Sequence, residues 1–135
     1  MTAITHMNPK ESYAVAGLSH IVAIDAPAKI LYMSGQVSKN QKGEVVGRGD
    51  FEAQTRQVYQ NLAVLLKASN ASFSDVVKQN VYTTKPEEVQ TWKRVRDEFI
   101  GTGAELPTST YVGVTALADP VYLIEIEMVA VISQV

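Results

Sequence analysis

The sequence predicts an α+β domain in which one β-sheet carries two helices on a single face. Its segments follow the order ββ(β)αβαββ, with the strands and helices segregated. Two segments, 51–68 and 87–100, place apolar residues at helical spacing. The last strand, 121–133, is largely apolar on both faces, which indicates that both faces are buried.

The N-terminal part predicts a loose arm followed by a β-hairpin. Residues 1–12 are polar and aperiodic, so we expect a flexible arm there. The β-like runs 21–25 and 30–35 are separated by a short stretch containing Pro27, and this pattern predicts a hairpin with the proline in its turn. Residues 39–50 form a glycine-rich loop with room for one short strand.

The first helix is predicted over 51–68. Asp50 precedes it as a candidate N-cap, and Asn70 follows it as a residue that tolerates a left-handed backbone. One face of this helix carries the apolar residues Phe51, Val58, Leu62, Leu65 and Leu66.

A strand and the second helix come next. The β-branched and aromatic run 75–84 predicts a strand. Thr84 and Glu87 have the spacing of a capping box with a proline in the first turn, so the second helix is predicted over about 87–100.

Two strands, 108–114 and 121–133, complete the predicted sheet. In the last strand one alternating set is Ile124, Ile126, Met128, Ala130 and Ile132, and the other is Leu123, Glu125, Glu127, Val129 and Val131. The helices can cover only one of these faces. The second face must therefore meet another surface, most economically another copy of the chain, which predicts an oligomer.

Composition excludes several classes of protein. The 135 residues suit a single domain, 1–135, and the 46% hydrophobic and 19% charged residues are globular values. A net charge of −2 argues against a partner that is a nucleic acid or an anionic membrane. No cysteine is present, which rules out disulfides and thiolate chemistry. Without a signal peptide or a long apolar run, we expect a cytoplasmic protein.

A few residues carry possible chemistry. Glu125 and Glu127 share one strand face, and a partly buried carboxylate beside a cleft suits proton transfer. We favour that role for Glu125, whereas Glu127 is as well explained by solvent or by pairing with Lys78. Ser34 and Gly35 close a strand, where glycine lets the backbone approach a ligand.

No metal or cofactor is predicted. His6 and His20 are the only histidines and form no ligand cluster in the sequence. A triad of Ser34, His20 and a carboxylate can be written, but no Gly-x-Ser-x-Gly elbow supports it. There is no phosphate loop and no dinucleotide fingerprint.

From about residue 17 to the C-terminus, the chain resembles the Rid family, also called the YjgF or L-PSP endoribonuclease-like family. The resemblance lies in the order and spacing of four segments: LYMSGQVSKNQKGEVVG, FEAQTRQVYQNLAVLLKASNASFSDVVKQNVYTT, LPTSTYVGV and IEIEMVAV. It implies a chorismate-mutase-like fold, a homotrimer with a central barrel, and small-molecule clefts between subunits.

The resemblance also implies a chemistry. Well-known members of the family hydrolyse reactive enamines and imines to 2-keto acids and ammonia. Glu125 matches the family's catalytic glutamate, and Ser34 and Gly35 match residues that line its cleft. Ser109 stands where the family has an arginine that binds the substrate carboxylate.

Three further positions depart from the best-known members. Ser19 and His20 form the Ser-His pair of non-deaminase branches, so His20 is expected to face the cleft as an assisting group. The asparagine that the family carries in its second helix corresponds to Lys93 or to its neighbour Trp92. Both positions are therefore candidates for substrate binding.

Two hypotheses follow for function. The first is a divergent Rid-type hydrolase of an enamine, an imine or a related metabolite, in which 2-imino-acid deamination is inefficient because Ser109 cannot neutralise a carboxylate. The second is a non-catalytic trimer that binds or senses a small molecule. Ribonuclease activity is disfavoured by the acidic chain, and a 2-aminomuconate deaminase branch stays open. Lys93, Arg94 or Arg96 could replace the missing arginine.

Overall fold

In the computed structural model, residues 4–14, 16–25 and 28–133 are described. Eight helices and strands lie in these ranges: β1 (Ile4–Met7), β2 (Ile21–Ile24), β3 (Ala28–Gln36), α1 (Phe51–Ala68), β4 (Val76–Thr83), α2 (Val89–Ile100), β5 (Thr108–Gly113) and β6 (Ile124–Ser133). Short 3-10 turns, Phe73–Asp75 and Pro86–Glu88, precede β4 and α2. The optional third strand, predicted within the 39–50 loop, does not form, and this loop contains only an isolated bridge between Lys39 and Val45.

Four strands form a mixed sheet in the order β3-β6-β4-β5. β6 lies antiparallel to both β3 and β4, whereas β4 and β5 are parallel and are connected through α2. Two neighbouring parallel strands need such a crossover connection, because a tight turn reverses the chain direction and can join only antiparallel strands. The α+β class, with helices on a mixed sheet, is confirmed.

The predicted hairpin between 21–25 and 30–35 is wrong. β2 pairs with β1 in a separate two-stranded antiparallel sheet, and β3 pairs with β6 instead. Pro27, which we placed in the hairpin turn, lies outside the described residues. The sequence pattern identified the strands correctly, but it carried no information on which distant strand each would join.

β1 lies within residues 1–12, which the sequence predicted to be a flexible arm. Residues 1–3 lie outside the described part of the chain, but Ile4 to Met7 pair with Ile24 to Ile21. Ile4 and His6 are partly buried while Thr5 and Met7 are exposed, so the segment alternates as a half-buried strand does.

The helices begin and end largely as predicted. The Asp50 carboxylate accepts a hydrogen bond from the Ala53 amide at 3.0 Å and caps α1, and Asn70 adopts a φ of 57° just beyond its end. The capping box at Thr84 does not form. Instead, the Thr83 hydroxyl accepts a hydrogen bond from the Lys85 amide at 2.9 Å, and a 3-10 turn beginning at Pro86 leads into α2.

The core lies between the two helices and one face of the sheet. Its buried residues include Val58, Tyr59, Leu62 and Leu66 of α1, Trp92 and Val95 of α2, Val76 and Val81 of β4, and Ile124, Ile126, Met128 and Ala130 of β6. Four residues of one alternating set of β6, Ile124, Ile126, Met128 and Ala130, therefore face the helices, whereas Ile132 lies outside this core.

Much of the opposite face of the sheet is exposed in the part of the chain that the structure describes, although Val131 is buried there. Tyr32 is 80% exposed, Ile30 47% and Val112 36%, and these residues flank the polar side chains of β4 and β6. Large apolar side chains grouped on one open face are unusual for a monomer surface. Within the described residues, neither helix is long and apolar enough to cross a bilayer.

Candidate functional site

A β-bulge lies in β3, where this strand pairs with residues near the start of β6. Met33 pairs with Met128 and Gln36 pairs with Ile126, so Ser34 and Gly35 together stand opposite the single residue Glu127. The extra residue interrupts the ladder and frees backbone groups there from regular pairing. The bulge is thus a place where main-chain groups can meet a ligand.

Glu125 lies directly against this bulge. A Cβ built on Gly35 would come within 2.1 Å of Glu125 Oε2 and 2.9 Å of its Cδ, so a larger residue here would displace this carboxylate. No hydrogen bond or ion pair from the described residues reaches the Glu125 side chain. Glu125 therefore keeps its lone pairs available next to an open backbone segment.

The neighbouring Glu127 is held by two hydrogen bonds. Tyr82 donates its hydroxyl at 2.7 Å and Asn80 donates its amide at 3.1 Å to Glu127 Oε1. These bonds favour the ionised form, the tyrosine bond most, and with the charge of Lys78 they hold the pKa of Glu127 below its usual value. The same contact raises the pKa of Tyr82. Glu127 is thus paired across the sheet, with Tyr82 and Asn80.

Two depressions flank the bulge. One, of about 330 Å³, lies on the open face and is lined by charged and polar residues that include Ser34, Lys78 and Glu127. The other, of about 630 Å³, begins at Gly35 and continues between the 35–41 segment and the outer face of α1. Both volumes are in the range of small-molecule clefts.

Ser19 and His20 lie in another part of the molecule. Ser19 is buried, donates its hydroxyl to the Leu106 carbonyl and its amide to the Pro107 carbonyl at 3.0 Å, and so fastens its segment to the start of β5. The His20 ring contacts Tyr13, with Nε2 2.9 Å from the Tyr13 carbonyl. No described contact joins His20 to Glu125.

Ser109 faces the helix layer. It stands beside the buried Gln79 in the β4–β5 register, whereas Glu125 stands beside Tyr82 on the opposite face. Ser109 Oγ and Gln79 Nε2 are buried and have no hydrogen-bond partner in the described structure. Within one chain, the sheet therefore separates Ser109 from Glu125.

The two positions on α2 differ in environment. Trp92 is buried and donates its indole N–H to the Tyr59 hydroxyl at 3.0 Å, which in turn donates to Gln79 Oε1 at 3.0 Å. Lys93 is exposed on the outer surface of α2. The structure gathers Ser34, Gly35 and Glu125, and leaves Trp92 and Lys93 on the helix side of the sheet.

Arg96 is one of the three basic residues expected as possible replacements for the arginine. It is buried, stacks over the Trp92 ring at 4.9 Å and pairs with Asp97 at 2.8 Å. Its guanidinium also lies against Gly17, where an added Cβ would come within 2.7 Å of Nη2. The four-residue spacing from Trp92 was the available signal, since residues so spaced stack on one helix face.

The described residues contain no cluster of three or more His, Asp or Glu side chains that could hold a metal ion. The groups that the site gathers are the Glu125 carboxylate, the Ser34 hydroxyl and the interrupted backbone of the bulge.

The structure combines a mixed sheet, two helices on one face of this sheet and a carboxylate against a strand bulge. Together these features define a class of small α+β proteins. The Endoribonuclease L-PSP family matches residues 9–132. The chain belongs to this family. The crystal structure of YyfB, a protein of the conserved Rid family from Yersinia pestis, superposes with a TM-score of 0.88 at 34% identity and covers 97% of this chain and 100% of that one.

Two relatives add to this comparison. A RutC family protein of Pyrococcus horikoshii, PH0854, is 37% identical over 101 residues, which cover 74% of this chain and 77% of the relative. A protein from Dermatophagoides farinae named 2-iminobutanoate/2-iminopropanoate deaminase is 29% identical over 102 residues, covering 76% and 77% of the two chains.

Proposed function

We propose that this protein hydrolyses a reactive enamine, imine or related small metabolite at a cleft centred on Glu125 and the Gly35 backbone. The observation that carries the proposal is the Glu125 carboxylate, which packs against the bulge and has no hydrogen-bond partner among the described residues. Its neighbour Glu127 is already engaged by Tyr82 and Asn80, so Glu125 is the carboxylate left for proton transfer. The similarity to a named iminobutanoate deaminase supports the same class of substrate.

The proposed reaction needs one group that moves protons. Glu125 takes a proton from water as the water oxygen bonds to the imine carbon, and the C=N electron pair moves to nitrogen. Nitrogen takes this proton from Glu125 and a second one from the new hydroxyl group, and the C–N bond breaks with release of ammonia as the C=O bond forms. An enamine first takes a proton on carbon and loses one from nitrogen, which gives the imine. A positioned carboxylate contributes about 10²–10⁴-fold to such proton transfers.

The substrate proposed here is not primarily a 2-imino acid. The family resemblance implies that Ser109 takes the place of a carboxylate-binding arginine, and a hydroxyl cannot neutralise a carboxylate. Ser109 also faces the helix layer beside Gln79. This chain would therefore be a divergent branch with a different substrate preference.

The proposed assembly is a cytoplasmic homotrimer in which the open sheet faces build a central barrel. The exposed Tyr32, Ile30 and Val112 support it, because burying them removes a large apolar surface from water. An intersubunit cleft is also the arrangement in which Ser19, His20, Ser109, Trp92 or Lys93 could contribute to a site built on Glu125. Within one chain, none of these is recorded in contact with Glu125.

The second candidate function is a non-catalytic trimer that binds or senses a small molecule. The observation that favours it is that no second proposed catalytic group contacts Glu125 in the described part of the chain. His20, the other proposed catalytic group, is held by Tyr13 and Asn8, away from the bulge.

One experiment separates the two functions. An amino-acid oxidase and an amine oxidase generate carboxylate-bearing and carboxylate-free imines in situ, and ammonia release is followed against oxidase turnover. We expect acceleration that is greatest for carboxylate-free imines and falls about a hundredfold or more in Glu125→Gln. Glu105→Gln, a matched change at an exposed loop residue, should leave it intact.

The outcomes discriminate clearly. If a folded protein accelerates no imine, the hydrolase proposal fails and the binding function stands. Full activity in Glu125→Gln would remove Glu125 from the mechanism. Light scattering that gives a monomeric mass would refute the trimer.

A further inference from the structure

The groove between α1 and the 35–41 segment is a depression of about 630 Å³ next to the bulge. One end begins at Gly35, where an added Cβ would meet the Glu125 carboxylate. The other end runs along the outer face of α1 as far as Val64 and Leu65. A molecule reacting at Glu125 could therefore extend its non-reacting part along this groove.

The helix face that forms this groove carries no charge. From Gln57 to Leu66 the chain has ten residues without an Asp, Glu, Lys or Arg, although Gln60 and Leu65 are exposed and Val64 is 66% exposed. Exposed positions of a helix ordinarily carry charged side chains. Near the N-terminus of α1, the side chains of Glu52 and Arg56 face α2. There Glu52 pairs with Arg94, and Arg56 pairs with Glu98.

The opposite wall has one charged residue. Lys39 lines the groove, but its ammonium lies 5.9 Å from the centre of the Tyr122 ring, in a cation–π contact. The other polar lining residues are carboxamides: Gln36, Asn40, Gln41, Gln57, Gln60 and Asn61. These groups both donate and accept hydrogen bonds, and none compensates a full charge.

The groove is held open by fixed contacts. The Asn61 amide donates to the carbonyls of Val37 and Lys39 at 3.1 and 2.8 Å, and Gln57 donates to Asn61 Oδ1 at 2.8 Å. These bonds fix the segment on the helix before any ligand binds. No described hydrogen bond involves the Gln60 side chain, so its amide remains available beside the apolar Val64 and Leu65.

We propose that this groove binds the non-reacting part of the substrate, and that it selects an uncharged molecule with an aliphatic portion and an amide-like hydrogen-bonding group. The inference rests on the proposed function, because it places the reacting carbon at Glu125. The groove offers apolar contact from α1 and hydrogen bonds from neutral amides. An anionic group would find one cation there, Lys39, whose ammonium already lies over the Tyr122 ring, so the water it loses on binding would be compensated only in part.

The test is a binding measurement with two probes that differ in charge. The ¹⁵N-labelled full chain is titrated with 4-methyl-2-oxopentanamide and with 4-methyl-2-oxopentanoate, and amide resonances are followed by NMR. We expect the neutral amide to shift the signals of Gly35, Gln36 and Leu65, and to bind at least about tenfold more tightly than the acid.

A charge variant reverses the preference in a predictable direction. Val64→Lys places a cation in the groove and should raise the affinity of the acid relative to the amide by about tenfold. Gln90→Lys adds the same charge at an exposed position of α2 that does not line the groove, and should leave the ratio unchanged.

Two results would overturn the inference: equal or tighter binding of the acid to the wild-type chain, or failure of the amide to bind in the groove. Binding does not require turnover. A chain that binds the amide here but hydrolyses no imine would refute the proposed function and leave the groove assignment standing. Conversely, imine hydrolysis lost in Glu125→Gln, without groove binding, would refute only the groove.

Discussion

Replacing Gly35 by alanine tests the packing of Glu125 against the bulge. The new Cβ would lie 2.1 Å from Glu125 Oε2, 2.9 Å from Cδ and 3.0 Å from Cγ. Non-bonded heavy atoms sit about 3.5–4 Å apart, so the carboxylate must move by about 1 Å or more. Gly35 does not have a positive φ, so the backbone itself accepts alanine.

The effect on stability should be small because the clashing atoms end a flexible side chain. Overpacking costs about 1–3 kcal/mol, and replacing glycine by alanine at a compatible site recovers about 0.4–1 kcal/mol. A net loss of about 1–2 kcal/mol is expected. Activity should fall much further, by about a hundredfold, because a 1 Å displacement of a reacting group has effects of that size.

The assays are urea unfolding at fixed protein concentration and the imine-hydrolysis assay described above. Gly103→Ala is the matched control, since a Cβ there meets no atom within 4 Å. Glu125→Ala in the Gly35→Ala background should restore the lost stability by removing the clash. The reasoning is refuted if Gly35→Ala behaves like Gly103→Ala in both assays.

Three further predictions concern named hydrogen bonds and charges. Tyr82→Phe removes the strongest bond to Glu127, so the pKa of Glu127 should rise toward its usual value in an NMR titration, while Tyr13→Phe should leave it unchanged. The pKa of Glu52 is lowered from 4.5 to about 2 by Arg94 and Arg56, so its stabilisation is present above pH 4.5 and is lost as the pH falls toward 2. Glu52→Gln should therefore flatten acid unfolding over that interval, and an unchanged curve would contradict the ion-pair assignment. Asp50→Ala removes the cap of α1 and should lower the free energy of unfolding by about 1 kcal/mol, whereas Asp50→Asn should lose much less.

Local patterns predicted the helices well. The bounds 51–68 and the cap at Asp50 follow from apolar spacing and from one side chain that can accept a backbone hydrogen bond. The start of α2 was less accurate, because Thr83 rather than Thr84 bonds the following backbone. Only Thr84 has a glutamate three residues later, but the residue that accepts the backbone hydrogen bond is Thr83, at the end of β4.

Strand partners could not be read from the sequence. Nothing within 21–36 indicates that β2 joins β1 while β3 joins β6 about a hundred residues later. Pairing between distant segments depends on which faces are buried together, and local turn signals do not report it.

The candidate site was predicted in part. Glu125, Ser34 and Gly35 were each singled out, and the structure brings them to one place. The two-to-one bulge that exposes this backbone arises from the register between β3 and β6. The partners of Glu127 were missed for the same reason, since Tyr82 and Asn80 reach it across the β4–β6 pair.

The chain of hydrogen bonds from Trp92 through Tyr59 to Gln79 links α2, α1 and β4 at one buried point. Burial raises the pKa of Tyr59, so its hydroxyl stays protonated and donates to Gln79. Each member depends on the next, and a single replacement leaves a buried polar neighbour without its partner. Sequence change at these three positions should therefore be concerted, with whole sets exchanged together. The three residues should be replaced only as a set, whereas other residues of the core can be replaced one at a time.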